Sequence, residues 1–315
     1  MEMELDKDDV ETVIDGYELG SLKSFEELRS GHHSDNYYLE TDSGEYVLRV
    51  LYEEEKDINY ILEIYDKLVD KGIETAKPIP SSLNEVYGKY KDNFICLQEF
   101  IPGEPRTEDN DLFTFYGEYL GKIHSALSEL EVTGREDLQS LRILDRLEED
   151  QLPEDEYLES QYSALEWEIN QLPLEELTEQ LINSDLGPED FRFKEGEFQG
   201  VLDFGDTHPD YLLYDLATTM MYCDIYGEED KENYLEFIES YLDEFSLPEE
   251  ELKHLKTFLK IRFVIQATYH EERRREEETQ GASSQKDNLE GIEDAKRMLK
   301  KLEEVPPTFY HEVLK

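Results

Sequence analysis

The stretch from Leu181 to Tyr222 constrains this chain more than any other, because it places acids at the edges of two short apolar runs. Asp185 lies in a turn-like segment after the first run, and Asp190 follows five residues later. The second run ends at Asp203 and reads V-L-D-F-G-D. The pattern predicts an acidic turn, then a strand that ends in an acid, and then an amphipathic helix from about Tyr211 to Tyr222.

This order of acids suits phosphoryl transfer. The reaction needs a carboxylate that orients the attacking hydroxyl, and acidic side chains that hold Mg²⁺ against the phosphates. We therefore predict Asp185 as the catalytic carboxylate, and Asp190 and Asp203 as the metal ligands. Acids make up 80 of the 315 residues, so their spacing alone is weak support. The apolar strand and the turn around the acids carry the prediction.

The same stretch resembles the aminoglycoside phosphotransferase and choline kinase-like superfamily, which shares the protein-kinase fold. The resemblance rests on four segments: Asn183-Ser184-Asp185, Asp190, Leu202-Asp203-Phe204 and Tyr214-Asp215-Leu216-Ala217. Asn183 and Ser184 replace the usual His-Gly pair of the superfamily, and Asp190 replaces the usual Asn. An Asp can ligate Mg²⁺ as well as an Asn can, because hard cations prefer oxygen ligands.

The resemblance implies an α+β, bilobal protein-kinase-like fold, with an antiparallel sheet plus one helix in the N-terminal lobe and a mostly helical C-terminal lobe. Periodicity agrees, because strand patterns predominate before Ile101-Pro102-Gly103 and helical patterns after it. We place the boundary there. Residues 1–101 would form the nucleotide-binding lobe, and residues 102–315 the catalytic and acceptor-binding lobe.

The predicted strand Glu45–Tyr52 carries a lone cation, Arg49, among apolar residues. The resemblance implies that Arg49 contacts the nucleotide phosphates; the alternative is an ordinary exposed position on a half-buried strand. A polar loop that contains His32-His33 and Ser34 would cover the phosphates, although exposed loop histidines are the simpler interpretation. Adenine would bind backbone groups from Glu99 to Ile101.

A helix is predicted from Glu53 to Lys71, with one apolar stripe formed by Ile58, Ile61, Leu62, Tyr65 and Leu68. In protein kinases this helix supplies a glutamate that pairs with the strand cation. Glu63 lies opposite the stripe and Glu54 lies early in the helix, so solvated surface acids are the better interpretation of both. We assign no partner to Arg49.

Three further residues follow from the resemblance. His124, in L-G-K-I-H, is predicted to pack behind the catalytic loop as a structural histidine. Asp215 is predicted to brace that loop by accepting backbone N–H bonds. Asp206 would face the acceptor, where an acid suits an amine; a capping or solvated acid is the alternative.

Composition excludes several classes of protein. The formal net charge is −49 and the pI is about 4.3, so the surface repels nucleic acid and anionic membranes. We find no apolar run long enough to span a bilayer and no secretory signal, and we expect a cytoplasmic protein. The spread of acids suggests a high-salt source. Cys96 and Cys223 lie in apolar runs, and we expect no disulfide. Residues 276–287 are predicted to form a polar loop.

Within the superfamily, the segments N-Y-Y-L-E-T-D-S-G-E-Y-V-L-R-V, G-I-x-T-x-K-P and D-L-A-T-T-M-M-Y are most similar to homoserine and hydroxylysine kinases. This implies transfer of the γ-phosphoryl group of ATP, with Mg²⁺, to a hydroxyl of a small molecule such as an amino alcohol or homoserine. A non-catalytic pseudokinase that binds nucleotide or a protein partner is the alternative, because Asn183-Ser184 replaces His-Gly and no glycine-rich loop is present. The acceptor and the oligomeric state stay open.

Overall fold

The computed structural model describes residues 5–28, 34–106, 112–130, 134–135, 138–141, 155–280 and 285–315. The chain forms two compact units. Unit 1 comprises Met1–Arg106 and Glu189–Gly205, and unit 2 comprises Thr107–Pro188 and Asp206–Lys315. Strands predominate in the first and helices in the second, which confirms the predicted α+β class. The predicted lobe boundary at residue 101 stays a prediction, and His32-His33 lies outside the described residues.

An antiparallel sheet forms the centre of unit 1, with the strand order β1-β2-β3-β6-β4 and with β5 paired to β6. The strands are β1 Leu22–Glu27, β2 Ser34–Thr41, β3 Glu45–Leu51, β4 Pro78–Ile79, β5 Gly88–Tyr90 and β6 Asn93–Glu99. From Asp35 to Thr41, β2 buries every second side chain, as a sheet with one covered face requires. Leu39, Leu48 and Leu97 are fully buried on adjacent strands, so the core lies against this face.

Among the described residues of unit 1, two α-helices accompany the sheet. Helix α1, Lys7–Ile14, begins with a capping box in which Asp6 and Asp9 each accept the other's backbone N–H. Helix α2, Glu55–Asp70, buries the predicted apolar stripe, and Tyr65 on it is 2% exposed. The helix ends beside Gly72, which has a φ of +86° and closes the last turn as glycine does at helix C-termini.

A separate hairpin completes unit 1. Its strands, β8 Phe191–Lys194 and β9 Glu197–Val201, are joined by the predicted turn at Glu195-Gly196, where both residues have positive φ. Val201 donates to the Glu74 carbonyl at 2.8 Å and its carbonyl accepts from the Thr75 hydroxyl at 2.6 Å. Two backbone bonds join Glu104 to Phe193. A Cβ at Gly103 would lie 2.4 Å from the Phe193 oxygen, so only glycine permits this approach.

Unit 2 is mainly helical. Its helices are α3 Phe113–Ser128, α4 Glu156–Ile169, α5 Leu212–Tyr222, α6 Lys231–Glu244, α7 Leu255–Gln280, α8 Gln285–Glu304 and α9 Phe309–Glu312. A two-stranded ladder pairs β7 Glu179–Ile182 with β10 His208–Tyr211. The ladder matters for function, because β7 leads directly into Asn183 and β10 into α5.

One predicted loop was wrong. Residues 276–287 were expected to be a polar loop, but α7 continues to Gln280 and α8 begins at Gln285. Glu and Gln are good helix formers, so a run of polar residues does not by itself end a helix. Both cysteines are free thiols, as predicted. In the part of the chain that the structure describes, no helix is long and apolar enough to cross a membrane.

Candidate active site

The loop that begins at Asn183 is held from behind by a fully buried carboxylate, that of Asp215. It accepts the backbone N–H groups of Asn183 at 2.9 Å and Ser184 at 2.8 Å, and the His124 Nε2 atom lies 2.9 Å away. Because a carboxylate only accepts, Nε2 carries the proton, and His124 Nδ1 accepts from the Tyr241 hydroxyl at 2.9 Å. These are the contacts that the predicted brace requires.

The two residues that depart from His-Gly have defined places in this loop. The Asn183 side-chain oxygen accepts the backbone N–H of Asp185 at 3.1 Å. Ser184 has a φ of +73°, a conformation that favours glycine, and its hydroxyl donates to the Asp206 carbonyl at 3.2 Å. The Thr219 hydroxyl fixes the next turn by donating to the Leu186 carbonyl at 3.1 Å. The departures thus take part in holding the loop.

Asp185 itself is half exposed, and two donors from distant helices meet one of its oxygens. The Tyr222 hydroxyl donates to Oδ1 at 2.6 Å, and Arg262 Nη2 donates to the same atom at 2.9 Å. Arg262 Nη2 also donates to the Tyr222 oxygen at 2.9 Å. The side chain of Arg262 is only 11% exposed, against 51% for that of Asp185. A buried cation therefore stands behind an accessible carboxylate.

The Tyr222 ring is fixed on two sides. The Arg262 guanidinium lies 5.5 Å from the ring centroid, and a Cβ at Gly187 would lie 2.9 Å from a ring carbon. Burial opposes the charge on Arg262, but Tyr214, Tyr222 and Asp185 outweigh it and raise the pKa of the guanidinium. Arg262 is thus a permanent cation at this site.

Asp206 is half-buried and is the residue at which the chain re-enters unit 2 after the segment Glu189–Gly205. Its backbone carbonyl accepts from the Ser184 hydroxyl and from His208 Nδ1, the latter at 2.6 Å. These bonds tie the residue to the Asp185 loop through its backbone. Contact of its carboxylate with an acceptor stays a prediction.

In unit 1, Arg49 lies on β3 and is oriented by the two neighbouring strands. Its Nη2 donates to the Ser34 hydroxyl at 3.2 Å, and its Nη1 donates to the Gln98 side-chain oxygen at 3.3 Å. Ser34 and Gln98 are both buried. Burial opposes the charge on Arg49, but nearby groups, led by Tyr65 and including Asp203, raise the pKa of the guanidinium. The structure thus brings together two residues that were predicted separately, Ser34 and Arg49.

Asp203 follows β9 in a left-handed conformation, with a φ of +64°, and its side chain is exposed. The next residue, Phe204, is fully buried and donates its backbone N–H to the Tyr65 hydroxyl at 3.1 Å. The two aromatic rings meet edge to face at 5.6 Å. Helix α2 therefore presents a tyrosine here, where protein kinases use a glutamate.

The two glutamates considered as partners of Arg49 have other partners. Glu63 pairs with Lys67 at 3.1 Å and Glu54 pairs with Lys56 at 3.3 Å, all four at the surface or near it. In the described part of unit 1, Arg49 hydrogen-bonds to the neutral side chains of Ser34 and Gln98.

Asp190 is half-buried, and its carbonyl accepts the backbone N–H of Leu202 at 3.0 Å. This bond places Asp190 beside the residue that precedes Asp203. Within the described residues, no group of three or more His, Cys, Asp or Glu could hold a metal ion. Two carboxylates still fit Mg²⁺, because this ion is usually bound by one or two carboxylates together with substrate phosphates.

The segment predicted to bind adenine is partly committed to the sheet. Glu99 donates its backbone N–H to the Lys77 carbonyl at 2.9 Å, and Phe100 donates to the Glu45 carbonyl at 3.3 Å. Hydrogen bonding of adenine to the Glu99 carbonyl and to the backbone of Ile101 stays a prediction.

Comparison with known proteins agrees with this geometry. A family model described as "Phosphotransferase enzyme family" matches residues 24–249, which is most of the chain. The chain belongs to the phosphotransferase enzyme family. This confirms the predicted superfamily and the prediction of a phosphotransferase.

Two homoserine kinases are among the relatives of this phosphotransferase. That of Caulobacter vibrioides (strain NA1000 / CB15N) is 31% identical over 97 residues, which are 30% of this chain and 31% of that protein. That of Gluconobacter oxydans (strain 621H) is 25% identical over 223 residues, which are 68% of this chain and 70% of that protein. The phosphotransferase therefore matches less than a third of the first relative's length.

Among solved structures, an amicoumacin kinase in complex with AMP-PNP, Ca²⁺ and Ami is similar to this phosphotransferase. The TM-score is 0.74 at 18% identity, and the match covers 99% of this chain and 98% of that one. At this identity the likeness shows the fold alone, and it confirms the predicted protein-kinase-like fold.

Three residues of the site were missed from the sequence. The sequence places Tyr65 in an apolar stripe and Tyr222 at the end of a predicted amphipathic helix, and neither pattern indicates a role at the site. Arg262 lies 77 residues from Asp185, inside a run that reads as buried helix. A cation among apolar residues was the one available signal, and the same signal had singled out Arg49.

Proposed function

We propose that this phosphotransferase transfers the γ-phosphoryl group of ATP to a hydroxyl of a small molecule, namely an amino alcohol or a hydroxy amino acid such as homoserine. The observation that carries the proposal is the setting of Asp185, an accessible carboxylate on a loop fixed by Asp215. The names of the curated relatives favour homoserine among acceptors. The expected ligands are ATP, Mg²⁺ and a small-molecule hydroxyl acceptor.

On the acceptor side, Asp185 accepts a hydrogen bond from the acceptor hydroxyl. This bond aims the hydroxyl oxygen of the acceptor at the γ-phosphorus. The new O–P bond forms as the bond from phosphorus to the β–γ bridging oxygen breaks, and ADP is the leaving group. Asp185 takes the hydroxyl proton late, because the transition state is loose and the nucleophile is still weakly bonded. Asp215 and His124 act only by holding the loop.

On the nucleotide side, Arg49 contributes a cation to the phosphates, and Ser34 and Gln98 fix the direction of its guanidinium. Asp190 and Asp203 would hold Mg²⁺, which when bound neutralises charge on the phosphate oxygens. Backbone groups at Glu99 and Ile101 would receive adenine. Tyr65 supports Asp203 by accepting the N–H of the following residue.

The pseudokinase alternative rests on Asn183-Ser184 in place of His-Gly and on the missing glycine-rich loop. The side chains of Asn183 and Ser184 both hydrogen-bond within the Asp185 loop, so their presence supports an ordered catalytic loop and not a degraded one. A cytoplasmic location and a high-salt source are also part of the proposal, and they rest on composition only.

The test is ADP release with Mg²⁺ and ATP in high-salt buffer against homoserine, hydroxylysine, amino alcohols and aminoglycosides. We expect turnover with an amino alcohol or a hydroxy amino acid. Asp185→Asn should lower it by roughly 10²–10⁴-fold without changing nucleotide affinity. Asp243→Asn, at an exposed position on α6, is the matched control and should leave turnover unchanged. ATP binding without turnover on any acceptor would establish the pseudokinase, and absence of both would overturn the nucleotide site.

A further inference from the structure

Arg262 is the least expected residue of the site. In a chain of net charge −49, this cation is 9% exposed on α7 beside the proposed catalytic carboxylate. Its contacts to Asp185 and Tyr222 both use Nη2. Its Nε atom is buried and has no hydrogen-bond partner among the residues that the structure describes. Burial of a guanidinium is costly unless its N–H groups are satisfied, so an orphaned Nε–H requires an explanation.

A second orphaned polar atom lies one turn further along the same helix. The side-chain oxygen of Gln266 is buried and, within the described part of the chain, also has no hydrogen-bond partner. Residues four apart lie on one face of a helix, with their Cβ atoms about 6 Å apart. One face of α7 thus offers an unused donor at Arg262, next to Asp185, and an unused acceptor at Gln266, one turn further along the helix.

The Tyr222 hydroxyl shows where a ligand hydroxyl fits. It donates to Asp185 Oδ1 at 2.6 Å, as the hydroxyl of an acceptor must in this reaction, and it accepts from Arg262. Tyr222 is 41% exposed and lies at the C-terminal end of α5. To contact Arg262, an entering acceptor must displace this phenol, whose ring packs against Arg262 and Gly187.

The charges select among acceptors. Asp185 and Arg262 form a neutral pair, so a zwitterion adds no net charge to the site. A polycationic acceptor such as an aminoglycoside would bring several ammonium groups towards a buried guanidinium. An α-amino acid offers a carboxylate for an N–H donor and an ammonium for an amide oxygen, on groups attached to one carbon.

We propose that Arg262 and Gln266 form a subsite beside Asp185 that binds the α-carboxylate and the α-ammonium of an amino acid acceptor. The subsite rests on the proposed function in one respect, which is that Asp185 receives the acceptor hydroxyl. It narrows the acceptor from amino alcohols in general to hydroxy amino acids, and it names Arg262 as the residue that determines this specificity.

The first experiment compares three ligands with the same hydroxyl end, by calorimetry on the intact chain without ATP. Homoserine carries both groups, 3-amino-1-propanol lacks the carboxylate and 4-hydroxybutyrate lacks the ammonium. We expect the Kd of homoserine to be at least about 10-fold lower than that of either analogue. Loss of one hydrogen bond to a charged group raises Kd by about this factor. Equal binding of homoserine and 3-amino-1-propanol, or no binding of homoserine, would overturn the subsite.

Variants then assign the effect to residues. Arg262→Gln should weaken homoserine binding roughly 10–100-fold but change 3-amino-1-propanol binding less than about 3-fold, and Arg262→Lys should restore part of the loss. Gln266→Leu should weaken homoserine and leave 4-hydroxybutyrate unchanged. Arg273→Gln, on the same helix, is the control. If Arg262→Gln weakens all three ligands equally, or lowers only kcat, Arg262 merely positions Asp185 and the subsite is wrong.

Failure of the subsite and failure of the proposed function give different results. Arg262-dependent homoserine binding without phosphoryl transfer would keep the subsite and overturn the kinase. Transfer to 3-amino-1-propanol or to an aminoglycoside as readily as to homoserine would keep the kinase and overturn the subsite. The ligand series on the unaltered chain decides between these outcomes even where a variant fails to fold.

Discussion

Units 1 and 2 each position one charged group of the proposed reaction, and they do so by different means. Arg49 lies on a strand, and its hydrogen-bond partners Ser34 and Gln98 are neutral residues on the two adjacent strands. Asp185 lies on a loop that is held by the buried carboxylate of Asp215 and faced by the buried cation Arg262. Strand pairing therefore positions Arg49 in unit 1, whereas buried charged groups position Asp185 in unit 2.

The difference bears on stability. A strand residue keeps its place through backbone pairing, so removal of its charge leaves the sheet intact. A loop held by a fully buried carboxylate depends on that charge, because Asp215 directly accepts the backbone N–H groups of Asn183 and Ser184. We therefore expect that a site residue of unit 1 can be replaced with little loss of folding stability. In unit 2, by contrast, a change that disturbs the site loop should also lower the free energy of unfolding.

The largest effect is expected for Asp215→Asn. The amide keeps one acceptor oxygen and turns an NH₂ group towards buried donors, and each unsatisfied buried group costs about 1–3 kcal/mol. We expect the free energy of unfolding to fall by about 3 kcal/mol in urea titrations at high salt, with Asp243→Asn as control. A fall of less than about 1 kcal/mol would mean that the loop does not depend on the buried carboxylate.

Arg49→Met tests the other side of the comparison. The apolar stem stays on β3 while the charge is lost and the buried Gln98 oxygen loses one donor, so we expect the free energy of unfolding to fall by about 1 kcal/mol, less than for Asp215→Asn. Nucleotide affinity should fall about 10-fold or more, because a cation to phosphate is removed. Lys23→Met, on the exposed strand β1, is the control for loss of charge alone. A stability loss as large as that of Asp215→Asn would remove the distinction between the units.

Ser184 offers a smaller test within unit 2. Ser184→Ala keeps the strained φ of +73° and loses the hydroxyl bond to Asp206, whereas Ser184→Gly loses the bond but relieves the strain. Ser184→Ala should therefore be less stable than Ser184→Gly by about 1 kcal/mol. Equal stability of the two variants would show that this backbone position carries no strain.

The smallest effect is a pH dependence in unit 1. Asp9 accepts from Lys91 at 2.8 Å and Tyr90 at 2.7 Å, which lowers its pKa to about 2. A lowered pKa gives stabilisation that is complete above the unfolded value, about 3.9, and is lost as pH falls through about 2. The melting temperature of Asp9→Asn should lie slightly below that of the unaltered chain at pH 6, and the gap should close towards pH 2. A gap that is the same at both pH values would contradict this origin.

Local patterns sufficed for much of the fold. The strand pattern from Glu45 to Tyr52 predicted β3, a stripe at helical spacing predicted α2, and an amphipathic pattern predicted α5. Local sequence also indicated Asp185, Asp190 and Asp203, because each lies in a short motif whose neighbours define a turn or a strand end.

The residues around Asp185 could not be predicted in that way. Tyr222 and Arg262 lie 37 and 77 residues along the chain, and only the packing of α5 and α7 brings them to the carboxylate. Helical periodicity assigns Arg262 to a buried face without saying what it meets there. The predicted loop at residues 276–287 was wrong for a related reason, because polar residues alone do not show where a helix ends.

The composition of unit 1 has a consequence for how the chain is made. Residues 1–106 lack the β8–β9 hairpin, whose bonds to Glu74, Thr75 and Glu104 complete the unit. During synthesis the sheet leaves the ribosome first and the hairpin about 100 residues later, a delay of roughly 5–20 s at ordinary elongation rates. Unit 1 can therefore be completed only after residue 205 has been synthesised.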